Sequence, residues 1–430
     1  MNAALPEATD LVIVLPHLGA GGAQKVALLA AEHFQSQGLN VVLVTLLPGK
    51  ALAHRLPANL VWLDLGPIVA STWKDRALIA RIRRFSLAYS SKLLSLSLLL
   101  CSWPWLKTLR APAQAALIQW LVISLSGPQA ALLRDLFKER PPRIVLSMLT
   151  KTNLLCCQAL WNLPSHLVIS ERNDPGLQRQ TFAWRSLQSL LWHRANRITA
   201  NTIGVLGPLK MIHPELAAKI TLLPNPLPKS LPQNPPISGD VHPYGATYLL
   251  AVCRLVPQKG IDLLIQAYAM LDLSLRQNWP LLIAGDGPER AALESLAEQC
   301  GVGDSVHFLG FVPDPFSLYQ KGSVFILSSR FEGMPNALLE AMSQGLAVIV
   351  SDASPGPLEV VAHERTGLVV ASGEVLPLVS ALNRLMCDQS LRTRLGQAAS
   401  LRISNHDWPV IEPLWQDALN LNKVLTPNTN

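Results

Sequence analysis

The run from Pro224 to Pro243, PNPLPKSLPQNPPISGDVHP, decides how the chain divides. It is dense in proline and has no apolar periodicity, so it reads as a hinge or linker between two folded parts. On either side of it, short apolar runs alternate with longer amphipathic stretches. Before it, Leu11 to Leu15, Val41 to Leu46, Arg143 to Met148, Leu167 to Ser170 and Arg197 to Ala200 look like buried parallel strands, with helical patterns such as Ala23 to Gln37 between them. After it the rhythm restarts. Tyr248 to Val252, Leu281 to Ala284, Val306 to Leu309, Val324 to Leu327 and Ala347 to Val350 are strand candidates, separated by helices such as Ile261 to Leu271 and Glu289 to Gln299. The expected architecture is α/β: two Rossmann-like, doubly wound domains facing each other across a cleft, where ligands of such proteins bind. The boundaries expected are 1–223 for the first domain, 224–246 for the linker, 247–404 for the second domain and 405–430 for a last helix and tail.

Composition supports this division. A chain of 430 residues exceeds what one core sustains. Hydrophobic residues make up 49% and charged ones 15%, which excludes a disordered chain. The net charge of +7 points to nucleic acid, a phosphorylated ligand or an anionic membrane surface. No nucleic-acid-binding module is present in the sequence, so the last two are preferred and no nucleic acid partner is expected. The six cysteines show neither C-x-x-C nor zinc spacing, which fits a reduced, cytoplasmic chain. The start, MNAALPEATDLVIVLPHL, lacks a basic region ahead of its short apolar run, which reads as a first strand and not as a signal peptide.

Glycine turns stand where phosphate sites would be. HLGAGGAQKV, His17 to Val26, joins the first strand to the first helix, and its glycines would let a ligand approach a helix N-terminus. A nicotinamide dinucleotide site is excluded: the run lacks the third glycine of G-x-G-x-x-G, and the second strand ends without an acidic residue for a ribose. A turn needed only for close packing remains the alternative. IAGDGPE, Ile283 to Glu289, is a second such turn, with Pro288 suited to open a helix.

The chemistry concentrates in Ser329 to Met342, SRFEGMPNALLEAM. A strand ends at its start and Pro335 suits a first helical turn, so Glu332 falls in the loop and Glu340 about a turn and a half into a helix. The amides of Asn336, Ala337 and Leu338 would be orphan donors of that helix start and a seat for an anion. Two carboxylates flanking a phosphate seat do not suit a glycoside hydrolase, which needs an acid–base pair across a bond. One carboxylate accepting from a sugar ring and the other from a ribose, with a diphosphate between, fits better. The cations would come from AVCRLVPQKGID, where Arg254 and Lys259 follow the first strand of the second domain. A solvated surface pair is the alternative reading for them.

Together these strings resemble a known family. RLVPQKG, IAGDGPE, FLGFVPD, SSRFEGMPNALLEAM, SDASPGPLEVV and TGLVV, in that order, are similar to the donor domain of retaining family-4 glycosyltransferases of the GT-B type, and the glutamate pair resembles their E-x7-E motif. The likeness runs from Asp10 to Asp64, Arg143 to Asn225 and, more specifically, Tyr248 to Asp388. It implies a nucleotide diphosphate sugar as donor substrate, no cofactor and no metal; the chain has no D-x-D triplet. By position, Arg254 and Lys259 would hold the diphosphate and Glu332 would contact the hexose, these three acting at the reacting centre. Glu340 would take the ribose, and Gly333, Met334, Asn336, Ala337 and Leu338 would line the donor site. Gly21 and Gly22 would let the first domain close over the phosphates, and Phe311 and Val312 lie where the family contacts the base. Residues 405–430 resemble the helix that crosses back to the first domain. Where many relatives carry a histidine after a first-domain strand, this chain has Glu171, Arg172, Asn173 and Asp174. They either orient acceptor or sugar, or form a turn capped by Asn173 and Asp174 before Pro175.

The segment Ser71 to Gly127 is the least family-like. It mixes Arg81, Arg83, Arg84, Lys92, Lys107 and Arg110 with leucine and tryptophan, and neither Leu93 to Leu106 nor Leu117 to Leu125 is long enough to span a bilayer. It reads as a helix pair in a membrane interface, or as extra core helices of the first domain. The first reading implies an anionic membrane surface as partner, a peripheral position on the inner face of the cell membrane, and a lipid-linked or polysaccharide-precursor acceptor. Two alternatives of other classes are a sugar-nucleotide epimerase on the same fold and a catalytically silent sugar-nucleotide-binding scaffold.

Overall fold

The structure is a computed structural model that describes residues 4–48, 52–69, 128–172, 188–228 and 247–421. The segment Ser71 to Gly127, most of the proline-rich run, and Asn173 and Asp174 lie outside the described residues.

Two all-parallel sheets carry the fold. The first has seven strands in the order β3-β2-β1-β4-β5-β6-β7: β1 (Leu11–Leu15), β2 (Val41–Thr45), β3 (Val61–Asp64), β4 (Ile144–Met148), β5 (His166–Glu171), β6 (Arg197–Ala200) and β7 (Ile220–Leu222). The second has six in the order β10-β9-β8-β11-β12-β13: β8 (Leu249–Val252), β9 (Leu281–Ala284), β10 (Val306–Gly310), β11 (Val324–Leu327), β12 (Ala347–Ser351) and β13 (Leu368–Val370). Central strands such as LVIVL of β1 and AVIVS of β12 are buried at every position. Helices cover both faces of a parallel sheet, so no side chain of a central strand reaches water and the apolar run is unbroken. Each sheet reverses its winding between two neighbours, β1 and β4 in the first and β8 and β11 in the second. The crevice at the carboxyl ends of such strands is the ligand position of doubly wound sheets.

Four helices position the site. Helix α1 (Gly22–Ser36) follows the glycine turn after β1, and α2 (Thr150–Ala159) follows β4. Helix α3 (Asn336–Ser343) follows the glutamate loop after β11. Helix α4 (Trp408–Leu419) packs on the first domain: Trp408, Ile411, Trp415 and Leu419 join Phe34 of α1 and Ile13 of β1 in one core cluster. The Trp415 indole donates to the Pro224 carbonyl at 3.1 Å, and Trp408 stacks on His33 with ring centroids 3.8 Å apart. The chain therefore passes between the domains twice, and the two passes touch. The Leu227 amide donates to the His406 carbonyl at 3.2 Å, and the His406 Nδ1 lies 3.0 Å from the Asn225 carbonyl.

Some boundaries differ from the sequence expectation. Strands β3, β7 and β13 are additional; β3 is an edge strand exposed at Val61 and Trp62, and the other two are only three residues long. Pro288 does not open its helix, which begins at Arg290 with Glu289 as its cap residue. Glu171 is the last residue of β5 and not part of the following loop, because its backbone continues the pairing with Ala200.

Trp415 is fully buried. Trp415→Ala is expected to lower the unfolding free energy by about 3–5 kcal/mol, the usual range for removing a buried large aromatic side chain. Urea titration followed by circular dichroism measures it, and a loss below about 1 kcal/mol would mean that α4 contributes little to the first domain.

Candidate functional site

The loops that follow β8 and β11 are joined by a dense set of hydrogen bonds. The Arg330 amide donates to the Gln258 carbonyl at 2.7 Å, the Gln258 side chain donates to the Phe331 carbonyl at 2.8 Å, and the Ser328 hydroxyl donates to the Lys259 carbonyl at 3.1 Å. The Arg330 guanidinium grips Asp262 with two bonds of 2.9 and 2.7 Å. Within this frame Lys259 Nζ lies 2.5 Å from Glu332 Oε1, which also accepts from the Ser329 hydroxyl at 2.6 Å. The Glu332 amide donates to the Ser354 hydroxyl at 2.9 Å. Glu332 is thus a buried carboxylate held by Lys259 and Ser329, with its backbone tied to Ser354. Arg254 stands at the end of β8 with its side chain exposed and no carboxylate partner among the described residues.

Helix α3 opens towards the first domain. Pro335 precedes it, and its first turn has neither an acidic residue nor a side-chain cap, so the amides of Asn336 and Ala337 keep their donor capacity, whereas the Leu338 amide, expected to share that seat, donates to the Pro335 carbonyl at 3.2 Å. Leu338 and Met334 are buried in the second domain's core and hold the turn in place, with Ala337 packed beside them. Asn336 spans the cleft: its amide donates to the Gly22 carbonyl at 2.9 Å and its side-chain oxygen accepts from Asn225 at 2.6 Å. Gly22 is close enough that an added Cβ would lie 3.4 Å from Asn336, so the glycine turn packs directly on the start of α3. Gly21 is the cap residue of α1. Glu340, buried in α3, faces Lys25 of α1 at 2.7 Å. The phenol of Tyr319 is held well above its ordinary value, first by burial and then by the nearby Glu340 carboxylate.

The first domain adds a buried polar group at the end of β5. Glu171 accepts from the Thr150 hydroxyl and from the Asn153 amide of α2, each at 2.7 Å. Burial pushes its carboxyl up to about 7 against the opposing pull of those two bonds. The Arg172 guanidinium is buried and bonds Asn225, and burial lowers it to about 10. The Arg172 carbonyl lies where a Cβ on Gly333 would come within 2.3 Å, so only glycine permits this approach of the two domains. Phe311 is exposed and Val312 partly buried at the end of β10; the Phe311 ring meets His54 of the first domain edge-on at 6.1 Å. The folded chain therefore brings Glu332, Arg254, Lys259, Glu340, the start of α3, Gly21 and Gly22 to one cleft.

Two of the solved structures that this chain resembles match it over nearly its whole length. HepE from Anabaena in complex with UDP and glucose matches with a TM-score of 0.68 and 15% identity, covering 96% of this chain and 99% of that one. Sucrose-phosphate synthase from Thermosynechococcus elongatus matches with a TM-score of 0.69 and 15% identity over 97% of this chain and 100% of that one. The fold is GT-B. Within it, residues 240–402 match the family model for glycosyl transferases of group 1, the GT-B domain that carries Arg254, Lys259 and both glutamates. A curated relative is the Campylobacter jejuni α-1,4-N-acetyl-D-galactosaminyltransferase that acts on a GalNAc-GalNAc-diNAcBac-PP-undecaprenol; it is 28% identical over 284 residues, 66% of this chain and 76% of that protein. Glycosyltransferase activity is what these likenesses support.

Sequence reasoning missed Lys25, His54 and Asn225, the first-domain and linker residues that close the GT-B cleft. Lys25 lies one helical turn after the Gly21-Gly22 pair, a position that marks it as facing the ligand side once the turn is read as a phosphate loop. Asn225 and His54 carry no comparable signal in one sequence. No group of His, Cys, Asp and Glu suited to a metal ion occurs among the described residues.

The raised carboxyl of Glu171 makes stability depend on pH. Its folded value, about 7, exceeds the ordinary glutamate value of 4.5, so the folded state favours the protonated acid. Its contribution is present below pH 4.5 and is lost as pH rises through 7, a change of about 3 kcal/mol for a shift of this size. Glu171→Gln, which cannot ionise, should flatten that part of the stability profile; urea titrations at pH 5 and pH 8 that fall equally in both proteins would refute the assignment.

Proposed function

We propose that this protein is a retaining, metal-independent glycosyltransferase of the family-4 kind that moves a hexosyl unit from a nucleotide diphosphate sugar to a lipid-linked or polysaccharide-precursor acceptor. The observation that carries the reading is the E-x7-E pair on the β11–α3 connection, fixed to the Lys259 loop and facing the glycine turn of the other domain. Arg254 and Lys259, with the Asn336 and Ala337 amides at the start of α3, would neutralise the diphosphate, and their effect grows as charge develops on the departing phosphate. Glu332, already oriented by Ser329 and Ser354, would accept from hexose hydroxyls. Glu340 would accept from the ribose, and Phe311 and Val312 would border the base. No protein nucleophile is required. The acceptor oxygen attacks from the face the phosphate leaves, forming the new C1–O bond as the C1–phosphate oxygen bond breaks. The departing phosphate oxygen takes the acceptor proton.

Support for the acceptor class comes from the Campylobacter relative, whose substrate is linked to undecaprenol through a diphosphate. Arg172, Asn173 and Asp174, with Glu171 at the end of β5 before them, are the proposed acceptor or sugar contacts, since β5 delivers Arg172 to the cleft beside Gly333. The likenesses do not favour the epimerase and scaffold alternatives.

Thermal-shift measurements against UDP, GDP, ADP and their hexose conjugates test the donor site. One nucleotide should raise the melting temperature of the wild type, and the shift should vanish in Glu340→Ala and Lys259→Ala. If no nucleotide stabilises the wild type, the donor reading fails.

We propose further that residues 71–127 seat the protein on an anionic membrane at its cytoplasmic face. Support lies in the basic and apolar sequence there; among the described residues no helix is long and apolar enough to cross a membrane. The protein should float with vesicles rich in anionic lipid and lose most of that binding when Arg81, Arg83 and Arg84 are all changed to Glu. Unchanged flotation would leave the core-helix reading.

A further inference from the structure

We infer that Lys25 is a ligand of the donor diphosphate, supplied by the opposite domain, and that it leaves Glu340 for a phosphate oxygen when the donor enters. The inference rests on the donor reading above and adds a residue that no part of the E-x7-E signature contains.

Lys25 Nζ stands 2.7 Å from Glu340 Oε1, with the two side chains 24% and 5% exposed. Among the described residues this is the one Lys or Arg pair with a carboxylate that joins residues 4–228 to residues 247–404. It lies between two helix starts. Neither α1 nor α3 has an acidic residue in its first turn or a side-chain cap, and the Asn336 bond to Gly22 brings those turns together. Two positive helix ends and a lysine meeting in one place repel one another unless an anion sits among them. Glu340 supplies one such anion, and Glu332 does the same for Lys259.

The resulting charge balance describes the missing ligand. Each glutamate of the motif is matched with one lysine, whereas Arg254 and Arg172 have no carboxylate partner among the described residues. A nucleotide diphosphate sugar carries one negative charge on each phosphate and a ribose with donor hydroxyls. Its entry permits an exchange of partners in which no buried charge is stranded: ribose hydroxyls replace the ammonium on Glu340, and the ammonium turns to a phosphate. Removing one member of a buried pair without replacement is strongly unfavourable, so a nucleoside alone would have to strip Lys25 from Glu340 and offer nothing in return. His54, whose imidazole lies near the Gly21 backbone and Lys25, is held below its ordinary value by burial and by the Lys25 charge. It therefore adds no competing cation at neutral pH.

Isothermal titration of the full chain with UDP, GDP and ADP, each paired with uridine, guanosine or adenosine, tests this. Lys25→Met should lose tenfold or more affinity for the diphosphate that the wild type binds, while its affinity for the matching nucleoside stays equal or rises. Lys25→Arg should restore most of the diphosphate affinity. Lys25→Met that binds the diphosphate as tightly as the wild type, or more tightly, overturns the inference and leaves Lys25 as a brake on Glu340. Equal losses for diphosphate and nucleoside also overturn it, since they indicate a structural role. Wild-type protein that binds none of the three diphosphates overturns the donor reading and this inference together, whereas wild-type binding that Lys25→Met retains overturns this inference alone.

Discussion

The lysine–glutamate pairing in the cleft is the interaction on which the rest of the site depends. Two buried carboxylates stand beside elements that bring positive charge with them, Glu332 next to the Lys259 loop and Glu340, within α3, facing Lys25 near the start of α1. Buried carboxylates without such partners would protonate or unfold their surroundings. Placing each glutamate within reach of a cation settles where the β8 and β11 loops must lie relative to one another, and how far α1 must advance towards α3. The hydrogen bonds of Arg330, Gln258 and Ser328 then fix the first relation, and Asn336 with Gly22 fixes the second.

The sheets were legible because parallel strands buried on both faces have no reason to alternate, so their apolar runs stand out against amphipathic helices. Strand β3 was not legible, since the apolar run Leu60 to Leu63 is short and, at an edge, its Val61 and Trp62 stay exposed, so it lacks the buried signature of the central strands. Glu171 misled for a related reason: a carboxylate normally announces a loop, and only the tertiary partners Thr150 and Asn153 allow it to end a buried strand. On the second domain, the residues named from sequence lie within single loops or on one helix, so local spacing sufficed to place them near one another. The cleft itself is another matter. Gly22 and Asn336 touch although they are 314 positions apart, and no local pattern encodes such a contact.

The polar chain through the linker ties these local pieces together. Arg172, at the end of β5, bonds Asn225; Asn225 bonds Asn336; Asn336 bonds Gly22. The buried Arg172 and Asn225 and the partly buried Asn336 satisfy one another at little cost, whereas each alone would lose its hydrogen bonds to water. The end of β5, the linker and the start of α3 are therefore parts of one network, and a shift of any of them is felt by the others.

The double passage of the chain between the domains has a mechanical meaning. A single tether would leave two bodies free to bend and to swivel. Here the segment after β7 and the segment before α4 run side by side, held by the Leu227–His406 and His406–Asn225 contacts. Two adjacent tethers act like the two leaves of a door hinge: they resist rotation that would slide one domain sideways across the other, and they leave opening about the line of the hinge as the soft motion. The register of the facing helix starts, marked by the Asn336–Gly22 contact, is thus held by two covalent crossings and not by one.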